Sequence, residues 1–279
     1  MIGPSRTAEV VAYMRALEGM RAEPILVDPH AGRFLSPPLR AALALGPATA
    51  RTDRLWRGWP GIGTYVATRH RWFDDRLVAS EADEVIVLGA GYDSRAVRFP
   101  GPRYWEVDHP STAARKRRIA PDHPAQRVDV DFSTQLLADR LVEAGFPVGA
   151  RAFVVWEGVT MYLSRGAIRA TLKTLHELLG PGSELVFDAF QVIDGPGLEA
   201  HFHRLSPALM PLVGEPVTFF LHPDDAPGFL ASEGWKGLEL EDASALRQRF
   251  APDRVVYPSV YVVRAVREDR AQTQEAPAL

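Results

Sequence analysis

Apolar residues follow two different patterns along this chain. Up to about residue 80 they recur at helical spacing, and from Glu84 onward they gather into short continuous runs. Val10, Tyr13, Met14 and Leu17 fall at i, i+3, i+4 and i+7, which predicts a helix burying one face. Asp28-Pro29 and Ser36-Pro37 each set a capping side chain before a proline suited to a first helical turn, so two short helices are expected to start there. After the Gly58 to Gly63 stretch a longer helix is expected, from Gly63 to about Ala79, stopping before the acidic turn Glu81-Ala82-Asp83-Glu84.

Val85-Ile86-Val87-Leu88, closed by Gly89-Ala90-Gly91, reads as a strand buried on both faces that enters a tight turn. Arg103 to Asp108, Gln126 to Phe132, Ala152 to Glu157 and Glu184 to Phe190 repeat this pattern, and Trp235 to Leu240 and Ser259 to Val266 supply the final strands. Between them lie segments of helical period, such as Ile168, Leu172, Leu175 and Leu179 before Gly180-Pro181. Strands alternating with helices predict an α/β fold: an open, mainly parallel, Rossmann-like sheet with helices on both faces. The expected organisation is a helical cap or lid over residues 1–80, a core over 81–266 with an insertion at about 193–221, and a disordered tail over 267–279.

Composition narrows the function classes. The 279 residues, 46% of them hydrophobic, can bury a sizeable core. Thirty-two Lys and Arg against 35 Asp and Glu give a net charge of −3, which offers no field to gather nucleic acid or anionic membrane. The run Arg115-Lys116-Arg117-Arg118 is expected to be a solvated face near a helix C-terminus rather than a nucleic-acid patch. With no cysteine there are no disulfides, thiolate nucleophiles or cysteine metal sites, and no sign of an oxidising compartment. The polar N-terminus lacks a signal-peptide apolar segment, and no stretch approaches the ~20 apolar residues of a spanning helix, so a soluble cytoplasmic protein is expected. His201 and His203 stand at strand spacing without a clear third ligand, so no metal is expected. The chain carries no P-loop, nucleophile elbow or His-Glu-x-x-His motif.

In an open sheet of this kind, ligands bind outside the carboxyl ends of the strands. Gly89 and Gly91 allow close backbone approach, and Asp108 follows Gly89 by nineteen residues, the spacing of an acid that accepts from ribose hydroxyls. The same glycines also suit an ordinary turn. Tyr92-Asp93-Ser94 follows where a dinucleotide fingerprint would supply its third glycine, which argues against NAD. A nucleoside cofactor without phosphate fits better, and S-adenosyl-L-methionine is the candidate. Arg69 shares the apolar stripe of its helix with Tyr65, Trp72 and Phe73, so it needs an anion. That anion is either the methionine carboxylate of the cofactor or a protein carboxylate such as Asp93 or Glu157. Asp131 is a candidate acceptor for the adenine amino group and Phe132 a packing face for the ring, while Glu157 ends the fourth strand beside Gly158; each acid could also be a turn cap.

Three ordered strings then carry a resemblance: Val85 to Arg95 (Val-Ile-Val-Leu-Gly-Ala-Gly-Tyr-Asp-Ser-Arg), Trp105 to Pro110 (Trp-Glu-Val-Asp-His-Pro) and Trp156 to Leu163 (Trp-Glu-Gly-Val-Thr-Met-Tyr-Leu). Together with Arg6-Thr7-Ala8, Asp28-Pro29 and Arg69 in the same order, the chain resembles the leucine carboxyl methyltransferase family, including its bacterial polyketide O-methyltransferase branch, over residues 5 to 190. The resemblance implies a class I methyltransferase fold binding S-adenosylmethionine. It implies that Arg69 holds the methionine carboxylate, with Arg6 as second candidate, over the Gly89 and Gly91 turn. It further implies Asp108 on the ribose, Asp131 and Phe132 flanking the adenine, and Glu157 on the methionyl amine. The expected activity is O-methylation of a small-molecule carboxylate in secondary metabolism, with Tyr162 positioning substrate. A hydroxyl or phenol, for which His201, His203 or Tyr162 would be the base, is the alternative acceptor, as is a protein C-terminal carboxyl or a modified RNA. A cofactor-binding module without catalysis is the reading from another class.

Overall fold

The computed structural model describes residues 5–46, 61–132, 134–192 and 217–268. The first helix, α1 (Arg6–Glu18), starts under Ser5, whose hydroxyl accepts from the Ala8 N–H at 3.1 Å. Tyr13 and Met14 are buried as the spacing requires, but Val10 and Leu17 are only half-buried, and Glu9, Arg15 and Glu18 are buried too. The expected purely apolar stripe is therefore corrected to a mixed face. It is tolerable because each charge has a partner. Arg115 donates to Glu9 at 3.3 Å, Arg15 Nη2 donates to the Tyr92 carbonyl at 2.6 Å, and Arg254 donates through both terminal nitrogens to Glu18 at 2.8 and 2.7 Å.

Asp28 starts a 3-10 turn (Ala31–Phe34), accepting from His30 N at 3.0 Å and Ala31 N at 3.2 Å. Helix α2 (Pro37–Ala44) follows Ser36, but the serine side chain makes no capping bond; its backbone N–H donates to Glu9 instead. The longer helix α3 runs Ile62–Ala79 and ends before the acidic turn.

Seven strands form one sheet: β1 (Glu84–Leu88), β2 (Arg103–Asp108), β3 (Gln126–Asp129), β4 (Ala152–Trp156), β5 (Glu184–Phe190), β6 (Trp235–Asp242) and β7 (Val260–Arg267), in the order β3-β2-β1-β4-β5-β7-β6. The first five pair parallel with one another, and β7 is antiparallel to both β5 and β6. β1, β4 and β5 are buried along their whole length, as strands with both faces covered must be. Alternate residues feed two cores. Ile86, Leu88, Val154 and Phe187 pack with the helix Arg165–Leu178 on one face, while Val85, Val87, Phe153 and Val186 pack with Tyr65, Trp72 and Phe73 of α3 on the other.

The third strand is shorter than expected. Its ladder stops at Asp129, Val130 N donates once more to Asp108 O at 2.9 Å, and the chain then turns, Thr134 and Gln135 N–H both donating to the Asp131 carbonyl. The basic run also needs correcting. It lies on α4 (Pro110–Ile119), where Lys116 is 2% exposed with its ammonium 2.7 Å from Glu106, Arg115 is drawn to Glu9 and Arg117 to Asp129. A solvated face describes Arg118 and, with its side chain 42% exposed, Arg117. Most of the expected insertion, the expected tail from residue 269, and His201 and His203 lie outside the described residues.

Candidate functional site

The carboxyl ends of β1, β2 and β4 open onto a cavity of about 380 Å³, within the range of small-molecule sites. Ser5, Thr7, Ala8, Val11 and Arg15 of the α1 segment line it from above, and Val159 and Tyr162 close one side.

The floor is the glycine turn. Gly89 and Gly91 take φ of +62° and +46°, a region open to glycine at little cost. A Cβ on Gly89 would stand 2.4 Å from Val159 Cγ2. Asp108, at the end of β2, braces this turn by accepting from the N–H of Gly91, and takes the His109 N–H at 2.7 Å on its other oxygen. Burial raises its pKa above the ordinary carboxyl value, while those two N–H groups work against the rise.

Glu157 ends β4 with its side chain 9% exposed on the cavity wall, and a buried polar network converges on it. Arg69 Nε donates to Oε1 at 3.0 Å, Arg95 Nη2 donates to Oε2 at 2.7 Å, and His70 Nδ1 lies 3.1 and 3.0 Å from the two oxygens. Behind them, Arg69 Nη1 donates to Asp188 at 2.7 Å, and Arg95, itself fully buried, also reaches Asp74 at 2.7 Å and Asp93. Arg98 donates to the second oxygen of Asp74 at 2.6 Å. Asp188 in turn accepts from Tyr65 Oη at 2.8 Å and from the Gly158 N–H at 2.6 Å. Although burial opposes ionisation, His70 and the surrounding guanidinium groups hold Glu157 well below the usual carboxylate range, and lower Asp93 and Asp74 in the same way. Four carboxylates, Asp74, Asp93, Glu157 and Asp188, thus face three guanidinium groups, Arg69, Arg95 and Arg98. Among these seven groups the carboxylates outnumber the guanidinium groups by one, and Glu157 and Asp93 are the network's carboxylates on the cavity wall.

Of the residues expected from sequence, Arg69, Gly89, Gly91, Asp108, Glu157 and Tyr162 line this cavity together. Arg6, Asp131 and Phe132 are not among its lining residues. Arg6 is exposed at the start of α1, Phe132 is 57% exposed, and the Asp131 N–H is engaged by Gln135 Oε1 at 2.9 Å. Arg69 is ion-paired with Glu157, the protein carboxylate named as its alternative partner, and it also lines the cavity. Asp188, Arg95, His70 and Arg15 were missed. Asp188 is an acid inside the continuous apolar run Leu-Val-Phe-Asp-Ala-Phe, and Arg15 sits on a helix face beside Tyr13 and Met14, so the argument that singled out Arg69 applies to both.

Comparison with known proteins agrees with this geometry. The profile of the leucine carboxyl methyltransferase family matches residues 8–176. A Parafrankia sp. (strain EAN1pec) protein, provisionally named as an S-adenosyl-L-methionine-dependent methyltransferase, is 31% identical over 264 residues, covering 90% of this chain and 82% of its own. A Streptomyces coelicolor protein of the same provisional name is 29% identical over 251 residues, covering 82% of each. Among solved structures, one described as an S-adenosylmethionine dependent methyltransferase from Mesorhizobium loti matches at a TM-score of 0.51 and 18% identity, over 70% of this chain and 97% of that one. A Bordetella parapertussis protein provisionally described as exported matches at 0.54 and 15%, over 94% and 96%. At those identities the two structures speak to the fold alone.

Proposed function

The chain belongs to the leucine carboxyl methyltransferase family, with the class I methyltransferase fold and S-adenosylmethionine as its cofactor, and from that premise we propose that it makes a methyl ester on a carboxylate of a small secondary metabolite such as a polyketide. The observation that carries this reading is the meeting of Gly89, Gly91, Asp108, Glu157 and Arg69 on one cavity whose buried network holds an excess negative charge. S-adenosylmethionine, with a sulfonium, an ammonium and a carboxylate, carries a net positive charge that fits this excess. When bound, it supplies an electrophilic methyl group on sulfur.

The roles follow from position. Asp108 accepts from the ribose hydroxyls with the lone pairs that Gly91 and His109 leave open. Glu157 takes the ammonium, and Arg69, held by Asp188 and Glu157, offers its remaining donors to the carboxylate. Arg6, Asp131 and Phe132, outside the lining, are not in the proposed set. The α1 segment acts as the lid that keeps water from the acceptor, and Tyr162 positions that acceptor at the cavity's side. A carboxylate acceptor is already anionic at neutral pH, so alignment and exclusion of water suffice and no general base is required.

The test is transfer of labelled methyl from S-adenosylmethionine to fractions of a cell extract, followed by mild alkali. Alkali-labile label recovered as methanol supports an ester. Stable label moves the acceptor to a hydroxyl or phenol, and label on protein or RNA fractions replaces the small molecule.

A further inference from the structure

With Arg69 and Asp93, Glu157 is one of the points where the buried network meets the cavity, and its hydrogen bonds can be counted. A carboxylate offers about four acceptor positions. Arg69 Nε, Arg95 Nη2 and His70 Nδ1 occupy three of them, which leaves about one for a group entering the cavity. The two arginines pull on opposite oxygens. His70 bridges both, at 3.1 and 3.0 Å, from a ring that is completely buried.

The protonation of that ring follows from its other side. His70 Nε2 lies 2.7 Å from Arg98 Nη2, an atom that can only donate. The lone pair is therefore on Nε2 and the proton on Nδ1, facing Glu157. Arg95 Nη2 also stands 2.9 Å from Nδ1, but its hydrogens have Glu157 Oε2 at 2.7 Å as acceptor. Asp74 Oδ1, at 3.9 Å from Nε2, is engaged by Arg95 and Arg98. Burial, and then the charge of Arg95, lower the His70 pKa and keep the ring neutral.

We propose that His70 is a positioning residue: a neutral Nδ1–H imidazole that bridges both oxygens of Glu157, fixes the rotation of its carboxylate, and so sets how the cavity recognises the ammonium group of its ligand. This rests on the reading of Glu157 as the partner of the methionyl amine. It adds that the orientation of the carboxylate comes from the ring, which also shares with Arg95 and Arg69 in keeping it ionised.

Two measurements on the full-length protein test it. Nitrogen-15 NMR of the imidazole should show a protonated Nδ1 and an unprotonated Nε2. Calorimetry should compare S-adenosylhomocysteine with its analogue lacking the α-amino group. His70→Leu should weaken the first about tenfold and the second less than about twofold, because only the first uses the oriented carboxylate. His70→Asn, which keeps a donor near the Nδ1 position, should restore most of the loss. Equal weakening of both ligands, an Asn variant no better than Leu, or a proton on Nε2 would each overturn the proposal. If the wild-type protein bound neither nucleoside, the cofactor reading and the ammonium role would fall together. Loss confined to the His70 variants would leave that reading standing and would judge the histidine alone.

Discussion

Arg69 and Asp188 meet at 2.7 Å, Nη1 to Oδ2, with side chains 4% and 0% exposed. The same guanidinium lines the cavity, whereas Asp188 does not. One residue therefore belongs to the buried network and to the cavity wall at once, and its partner to the buried network alone.

Substitutions at the two ends of this pair should separate those roles. Arg69→Lys keeps the charge but loses the fork that reaches Asp188 and Glu157 together, so it should lower both the melting temperature of the ligand-free protein and the affinity for S-adenosylhomocysteine, the latter at least tenfold. Asp188→Asn leaves a buried cation short of a partner and should cost about 3 to 5 kcal/mol of stability, with a smaller change in affinity. Thermal unfolding and calorimetry on both variants check this. An Arg69→Lys protein that lost stability but no affinity would remove Arg69 from the site.

Asp108 offers a cleaner separation, since its partners are two backbone N–H groups rather than a buried charge. Asp108→Ala should weaken S-adenosylhomocysteine by about 1.5 to 3 kcal/mol, the size of a charged hydrogen bond to ligand. Fluorescence titration measures this, and unchanged affinity would reduce Asp108 to a brace for the glycine turn.

What the sequence made legible, and what it did not, follows from the range of the interactions. The strands were readable because double burial forces continuous apolar runs, and the Gly89 turn because its positive φ demands glycine. The end of β3 was misplaced because Val130 keeps one ladder bond after the strand pairing has stopped, which alternation cannot reveal. Arg69 was found because a charge on an apolar stripe needs a partner. The partner itself, Asp188, is 119 residues away, and nothing local points from one to the other. Lys116 was read as solvated because Glu106, its partner, lies on β2 and only the packing of α4 against that strand brings the two together.

That second buried cluster gives a pH signature. His123 Nε2 lies 3.5 Å from Glu106 Oε1, and burial, reinforced by Lys116, lowers the histidine to about 4. Its contribution to stability is present above the unfolded value near 6.5 and is lost as pH falls towards 4, by at most about 3 kcal/mol. Burial raises Glu106 to about 7 against the pull of Lys116, so its contribution has the opposite sign: present below about 4.5 and lost as pH rises through 7. Between about pH 4.5 and 6.5 the two slopes oppose each other. His123→Gln should leave a protein whose stability declines as pH rises through that window, and Glu106→Gln one whose stability climbs. Urea unfolding across the window reads both slopes, and variants parallel to the wild type would mean that neither group titrates differently on folding.

The floor of the cavity supplies the last test. Gly89 sits at φ +62° with Val159 packed against the position of its missing Cβ, which would come within 2.4 Å of Val159 Cγ2. Gly89→Ala therefore combines two costs, about 1 kcal/mol for the backbone region and a further term for the clash. The clash can be relieved independently, because Val159→Ala removes Cγ2. The double variant should then recover the clash term and remain about 1 kcal/mol below Val159→Ala alone, a coupling that a double-mutant cycle measures directly. Ligand affinity should follow the same pattern. The displaced turn carries the Gly91 N–H that donates to Asp108, so relief of the clash should restore S-adenosylhomocysteine binding along with stability. If the double variant lay as far below Val159→Ala as Gly89→Ala lies below the wild type, the contact with Val159 would not be the reason glycine stands there, and the backbone angle would carry the whole effect.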